Sequence, residues 1–448
     1  MNKLYAGFGR INVTPMLGIG LCGYYKTRIA DGFLDDLEIM ALALSVEEEK
    51  AVLISIDHCG VTQEIVAEFK QHIMEVTGIS TNAIYIHATH THTAPFLRKD
   101  SDDVLEQEYY RTVYHAMADV TKIAFEDLKP AKMGYGIGKA PNIAFVRRFR
   151  MKDGSIQTNP GVNNPNIAEP IGDVDESVNV LRFDRDEADS IVLVNFADHP
   201  DTVGGCKISA DWPGFLRKTV EKTLDHVKCI FFNGAQGDVN HVNVHPKAGD
   251  LNDMFMDFDD VSRGYGHARY MGRVVAGGVL QVYDKVNYVE VDSIKSMQRT
   301  IHIPANMPQT EDMEEAYRIN ELHEAGKDEE IPYKGMMLTT VVAEAARMIR
   351  LEHGPDSFEM KLSGIAIGNV AMLGIPGEPF SGIGRSLKET DGWEMILPTC
   401  NTNGYQGYFP MKEAYDEGGY EARSSDFAAG VAELIIEEGK QLLKELCS

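Results

Sequence analysis

The succession of strand, helix and strand in the first ninety residues constrains the fold of this 448-residue chain more than any other feature. Residues 37–46 and 51–56 are apolar runs, residues 62–76 carry apolar side chains at helical spacing, and residues 83–86 are short and β-rich. Gly78 is placed to end the helix in a left-handed turn. A helix between two apolar strands must bury one face on the sheet they form, so the pattern predicts an α/β chain with a layered, mixed β-sheet core flanked by helices. Ligands in open α/β sheets sit beyond the carboxyl ends of the strands. Here strand 83–86 runs directly into His87-Ala88-Thr89-His90-Thr91-His92.

The same grammar recurs downstream. Residues 104–127 read as a helix, and 178–183, 191–196 and 229–232 as strands, the last running into Asn233-Gly234-Ala235-Gln236-Gly237-Asp238. Residues 365–373 read as one apolar strand leading to Gly374-Ile375-Pro376-Gly377-Glu378. Residues 311–325 and 333–352 have helical periodicity with many charges, marking 305–355 as a helical excursion and a candidate insertion. No linker divides the chain, and the acidic residues 250–260 read as an exposed loop rather than a boundary. One large catalytic domain over residues 1–448 is expected.

Composition removes several partners. With 43 Lys plus Arg against 68 Asp plus Glu, a net charge of −25 repels nucleic acid and anionic lipid surfaces. The start has no cationic segment followed by an apolar one, and no later run reaches the roughly 18 apolar residues of a membrane helix. A cytoplasmic protein without stable membrane association is expected. Its cysteines, Cys22, Cys59, Cys206, Cys229, Cys400 and Cys447, form no CxxC pair, so reduced thiols are expected and any metal must use nitrogen and oxygen ligands.

Those ligands are available. His90 and His92, two residues apart beyond a strand, can face one site, unlike the helical pair of an HExxH motif, whereas His87 is the weakest of the three. His199, in Asp198-His199-Pro200, adds an imidazole in a restricted loop, although Asp198-His199 also reads as a plain turn pair. Glu378 is projected from a strand end, or is a carboxylate at a helix N-terminus. In Asn403-Gly404-Tyr405-Gln406-Gly407-Tyr408-Phe409-Pro410, followed by Tyr415 and Tyr420, aromatic packing is the plain reading.

Taken in order, these motifs resemble the neutral or alkaline, non-lysosomal ceramidases, which are zinc-dependent amidases. The resemblance runs from Gly7-Phe8-Gly9-Arg10-Ile11-Asn12-Val13-Thr14-Pro15 to the tyrosine segment. Ala88-Thr89-His90-Thr91-His92-Thr93-Ala94-Pro95 is similar to the family's Ala-Thr-His-Thr-His-Ser-Gly-Pro. This implies that His90 binds Zn2+ and His92 lines the catalytic pocket. Asn195-Phe196-Ala197-Asp198-His199, followed by Ile208-Ser209-Ala210-Asp211, implies His199 as second ligand, and Pro376-Gly377-Glu378 implies Glu378 as third. Gly234-Ala235-Gln236-Gly237-Asp238-Val239-Asn240 resembles the family's Gly-Asp-Val-Ser-Pro-Asn loop. The family has a ligand Tyr in a Gly-Tyr pair and a catalytic Tyr twelve residues on, which implies Tyr408 and Tyr420. The substrate-positioning arginine falls on Arg147, or on its neighbour Arg148.

The implied activity is hydrolysis of an amide, N-acyl bond by metal-activated water, with His92, Tyr420 and Arg147 stabilising the oxyanion and handling the amine's proton. The substrate is a small N-acyl molecule, ceramide-like or more soluble. Ala94, Phe96-Leu97 and Gly204-Gly205 depart from the family and are expected to line or abut the pocket, and the carboxyl-terminal β-sandwich of ceramidases is not expected after the closing helix. Two competing readings are a non-catalytic metal- or metabolite-binding protein on the same fold and a metal-dependent esterase or phosphatase. The latter would need two metals and draw on Asp57, His58 and Asp238.

Overall fold

Residue parity in the strand Glu38–Val46 sets the layering. Ile39, Ala41 and Ala43 point into a core shared with helices Gln63–Thr77 and Val104–Glu126, while Met40, Leu42 and Leu44 point the other way, against Ile365, Ile367, Val370, Met372 and Leu397. A strand buried on both faces loses the polar alternation of a surface strand, which is why it reads as a continuous apolar run. Helices Asp211–Thr223 and Tyr265–Val282 extend the first helical layer across Val178, Val180, Val192, Val194 and Phe231. The computed structural model, which describes residues 3–251 and 264–448, thus has four layers: helices, a nine-stranded sheet, a four-stranded sheet, and helices Ser381–Lys388 and Val431–Cys447. The expected layered α/β core with flanking helices is present, but its centre is two sheets face to face. Of the acidic loop expected at 250–260, residues 252–260 lie outside the described residues.

The large sheet runs in the order Val227–Asn233, Ser190–Phe196, Ser177–Arg185, Lys129–Lys139, Leu4–Asn12, Glu38–Val46, Glu49–Ile56, Ile84–Ala88, with Asn287–Val289 also paired to Lys129–Lys139. Its interior pairs are antiparallel and its two outermost pairs are parallel. Parallel neighbours need a crossover, and helices Gln63–Thr77 and Asp211–Thr223 supply the two. In the smaller sheet, Val370–Gly374 and Met395–Thr399 are parallel, with Ser381–Lys388 between them in sequence. The outer ends of the large sheet approach each other: the Asn233 amide donates to His87 Nε2 at 2.9 Å, and Ser55 Oγ donates to the Phe231 carbonyl at 2.7 Å. The loops leaving these parallel strands therefore meet in one place.

Local chemistry explains the ends of the elements. Thr62 Oγ1 accepts from the Ile65 amide at the start of Gln63–Thr77, and Gly78 closes it at φ +74°. The run 365–373, expected as one strand, is instead a hairpin: Ser357–Ile367 and Val370–Gly374 pair antiparallel about Gly368-Asn369, with Gly368 at φ +54°. A Gly-Asn pair is a two-residue hairpin signal, and apolar residues on both of its sides masked it.

The chain leaves the smaller sheet at Pro304 and returns at Ser357, residues that are partners in the register. Between them, helices Met313–Glu324 and Met336–Leu351 share a separate small core of Met313, Ala316, Ile319, Val341, Ala345 and Met348. The second helix is tied to the one-turn helix Tyr420–Ser424: Arg423 Nε donates to Glu344 at 2.8 Å and Arg347 Nε to the Arg423 carbonyl at 2.9 Å. No helix among the described residues is long and apolar enough to cross a membrane.

Candidate metal centre

Four loops carry polar side chains from strand ends into one buried point. His90 follows Ile84–Ala88, His199 follows Ser190–Phe196, Gln236 follows Val227–Asn233 and Glu378 follows Val370–Gly374. His90 and His92 do converge, with Nε2 atoms 3.2 Å apart, although not by strand alternation. The strand has already ended, and His90 stands at φ +78°, a conformation that costs a non-glycine residue energy and recurs at functional sites. Gly377, at φ +157°, shapes the turn before Glu378. A Cβ there would lie 2.5 Å from the Gly407 carbonyl oxygen, so no other residue fits.

The donor atoms form a closed triangle. His90 Nε2 to His199 Nε2 is 3.3 Å, His90 Nε2 to Glu378 Oε2 is 3.1 Å and His199 Nε2 to Glu378 Oε2 is 3.2 Å, with all three side chains about 1% exposed. Two donors each about 2.0–2.1 Å from one ion at a tetrahedral angle stand roughly 3.3 Å apart, so the triangle has the size a four-coordinate divalent ion requires. The ring tautomers agree. His90 Nδ1 donates to the Cys59 carbonyl at 2.5 Å and His199 Nδ1 to the Gln236 carbonyl at 3.2 Å, leaving both Nε2 lone pairs aimed at the same point. Facing lone pairs repel unless a cation lies between them. Among the described residues a second group, Cys59 with His90 and His92, could also hold an ion, but the triangle is tighter and fully buried.

Without an ion, burial opposes charge on every member, and the neighbours decide the outcome. Burial lowers the His90 pKa, but Glu378 overrides it and leaves the imidazole raised, whereas burial and the Arg147 charge lower His199. Burial raises Glu378, yet the two imidazoles hold it well below the usual carboxylate range. Burial also pushes Tyr408 and Tyr420 well above the usual phenol range, so each is a neutral hydrogen-bond donor.

The remaining predicted residues surround this triangle. Tyr408 is the register partner of Glu378 in a two-residue parallel pair, and its ring lies 5.5 Å from that of Tyr420 and 5.3 Å from the Arg147 guanidinium. Arg147 Nε donates to Glu421 at 2.7 Å and Nη2 to the Gly237 carbonyl at 2.7 Å. His92 keeps Nδ1 3.5 Å from Asp201. A cavity of about 410 Å³ opens over the group and is lined by His92, Arg147, His199, Tyr408 and Tyr420.

Other candidates are engaged elsewhere. His87 donates from Nδ1 to the Cys400 carbonyl at 2.8 Å and accepts the Asn233 amide on Nε2, so both nitrogens are used in joining strands. Arg148 reaches Glu417 at 3.0 Å and not the cavity. Asp57 is held by both Nη atoms of Arg217 at 2.9 and 2.6 Å, and Asp238 by the Ser381 amide at 2.6 Å. His58 Nδ1 contacts the Gly60 carbonyl, and none of these three belongs to a donor group that could hold an ion among the described residues. Ala94, Phe96, Leu97, Gly204 and Gly205, expected to line or abut the pocket, are not among the residues that line the cavity.

Several supporting groups escape sequence reasoning. Tyr405 Oη donates to the second Glu378 oxygen at 2.8 Å and its ring stacks over His90, while Gln236 Nε2 donates to Glu378 Oε2 at 3.3 Å. Asp201 and Glu421 complete the settings of His92 and Arg147. Asp201 lies two residues after His199, and Tyr405 belongs to the same Gly-rich segment as Tyr408. Proximity was the only signal.

No protein-family model matches the sequence, and no curated protein does. Among solved structures, neutral ceramidase from Pseudomonas aeruginosa superposes with a TM-score of 0.71 at 16% identity, over 100% of this chain and 75% of that one. The chain has the neutral ceramidase fold. A ceramidase complexed with C2 gives a TM-score of 0.72, also at 16% identity, over 100% of this chain and 76% of that one. The likeness read from the sequence motifs therefore extends to the architecture. On this fold, the donor triangle occupies the carboxyl edge of the paired sheets.

Proposed function

We propose that this chain is a zinc-dependent amidohydrolase that cleaves the N-acyl bond of a small molecule. The observation that carries the reading is the triangle of His90, His199 and Glu378, with sides of 3.1–3.3 Å and both ring tautomers held by backbone carbonyls. Two imidazoles and a carboxylate, with Tyr408 beside Glu378 as a further ligand, are a donor set that suits Zn2+. When bound there, zinc polarises an acyl carbonyl and acidifies a water to a pKa of about 7.

The surrounding residues do the rest. Tyr420, a neutral phenol on the cavity wall, donates a hydrogen bond to the developing oxyanion. Arg147, braced by Glu421 and the Gly237 carbonyl, orients the acyl group. His92, kept neutral by burial with Asp201 behind it, takes a proton and returns it to the departing amine. The six unpaired cysteines and the net charge of −25 support a cytoplasmic protein acting on small molecules rather than on nucleic acid or a bilayer.

Metal analysis of the purified chain, joined to amine-release assays on N-acyl compounds with short and long acyl groups, tests this reading. One zinc per chain and metal-dependent amine release are expected. A chain that folds with an ordered site yet takes up no zinc would instead be a binding protein.

A further inference from the structure

We propose that the excursion between Pro304 and Ser357 limits substrate size and restricts the site to small, single-chain N-acyl compounds; this rests on the amidase reading above. Six of the seventeen residues lining the cavity over the metal centre come from it: His323, Asp328, Met336, Leu338, Thr339 and Val342. Met336, Leu338 and Val342 give this wall an apolar surface for a short acyl group. His92, Arg147, His199, Tyr408 and Tyr420 line the same cavity, so a scissile amide at the donors shares it with the residues of the excursion.

That wall is fixed. His323 Nδ1 and Asp328 Oδ1 are 2.7 Å apart, which ties the end of the first helix to the connection that follows it. Arg423 holds Glu344, Arg347 holds the Arg423 and Asn306 carbonyls, and Asn306 Nδ2 donates to the Ser425 carbonyl at 3.1 Å. These bonds join the wall to the one-turn helix that begins with Tyr420, so the wall cannot swing away without disturbing that phenol.

The volume sets the class. Benzene occupies an apolar protein cavity of about 150 Å³, roughly 25 Å³ per non-hydrogen atom. At that density, the 410 Å³ beside the donors accommodates roughly sixteen non-hydrogen atoms. An amide with one short acyl chain lies wholly within that volume, whereas the chains of a two-chain lipid would have to extend past the excursion. Beyond Met336 and Asn159 lies a second cavity of about 460 Å³, also lined by Met337, Gly418, Gly419 and Arg423. Those two residues line both cavities and partition them.

The test uses the full, zinc-loaded chain and the butanoyl, octanoyl and hexadecanoyl amides of ethanolamine, with a two-chain ceramide in detergent micelles. The expected result is a kcat/KM at least about tenfold lower for the hexadecanoyl than for the butanoyl amide, and no turnover of ceramide. Met336→Ala joins the two cavities and should raise the hexadecanoyl-to-butanoyl ratio about tenfold, with Val342→Ala moving it in the same direction. Equal cleavage of short and long amides by the wild type, or a ratio unmoved in both variants, overturns the inference. If the zinc-loaded chain cleaves nothing in the series, the amidase reading fails instead, and size is read by calorimetry. Butanoate should then bind and hexadecanoate should not, and equal binding of the two overturns the size limit.

Discussion

The candidate metal centre and the excursion that shares its cavity are built in opposite ways. The centre draws His90, His199 and Glu378 from loops spread across most of the chain, each fixed by the end of a buried parallel strand. The excursion is a local detour of two helices with its own small core, leaving and rejoining the smaller sheet at register partners. A site assembled from distant strand ends inherits the rigidity of both sheets, because moving one donor means moving a layer. A detour can change length or sequence while the sheet pairing around it stays closed. On the proposed function, the difference would give chemistry to the first region and choice of substrate to the second.

The sharpest way to break this division is at the triangle. His90→Ala or Glu378→Ala should abolish tight zinc binding and all amide cleavage, since each change breaks the donor triangle that fixes the ion, while the circular dichroism spectrum is unchanged. Zinc retained at one equivalent in either variant would show that these atoms are not ligands. Tyr420→Phe should be next in size. One preorganised donor is worth about 2.7–4 kcal/mol in the transition state, so kcat should fall about a hundredfold or more with zinc fully bound. Loss of zinc in that variant would move Tyr420 from catalysis to the metal setting.

Tyr405→Phe sharpens the comparison from behind the donors. Its hydroxyl holds the Glu378 oxygen that points away from the two imidazoles. Removing such a partner typically weakens metal affinity by about 10–100-fold. Competition with a chromophoric chelator reads that shift, and an unchanged affinity would mean that the Gly377 turn and Gln236 suffice to orient Glu378.

Sequence reasoning saw the first region better than the second, and local pattern explains why. The strand ending at Ala88, the helix capped by Gly78 and the donors His90, His199 and Glu378 all show as an apolar run followed by a polar or Gly-rich turn. The helices of the excursion were also legible, as charged segments of helical period. Strands Leu4–Asn12, Lys129–Lys139 and Ile294–Pro304 were not identified, because glycines and charged residues interrupt their apolar character. Nor could the pattern show that two sheets lie face to face, since an apolar run does not reveal what covers it. Tyr405, Gln236, Asp201 and Glu421 act through contacts between residues far apart in sequence, or beside a more conspicuous neighbour. The cavity wall is the extreme case, because nothing in the segment 305–355 names the site it faces.

The two regions also treat buried charge differently, and this gives the smallest expected effect. In the excursion, the buried Arg347 donates to the Arg423 and Asn306 carbonyls. The helix Gln63–Thr77, which carries the crossover before His90, buries Lys70 at 6% exposure without an ion pair among the described residues. Burial, helped by the Lys361 charge, lowers the Lys70 pKa from 10.5 to about 7. The folded chain therefore sheds this proton above about pH 7, whereas the unfolded chain keeps it until about pH 10.5. Between those values the unfolded state binds more protons, so this residue makes stability rise with pH, by at most about 1.4 kcal/mol per unit. Lys70→Met should stabilise the chain at neutral pH and flatten that rise, measured by urea unfolding at a series of pH values. If the slope is the same in the variant, Lys70 keeps its charge in the folded chain and must reach water along the helix surface.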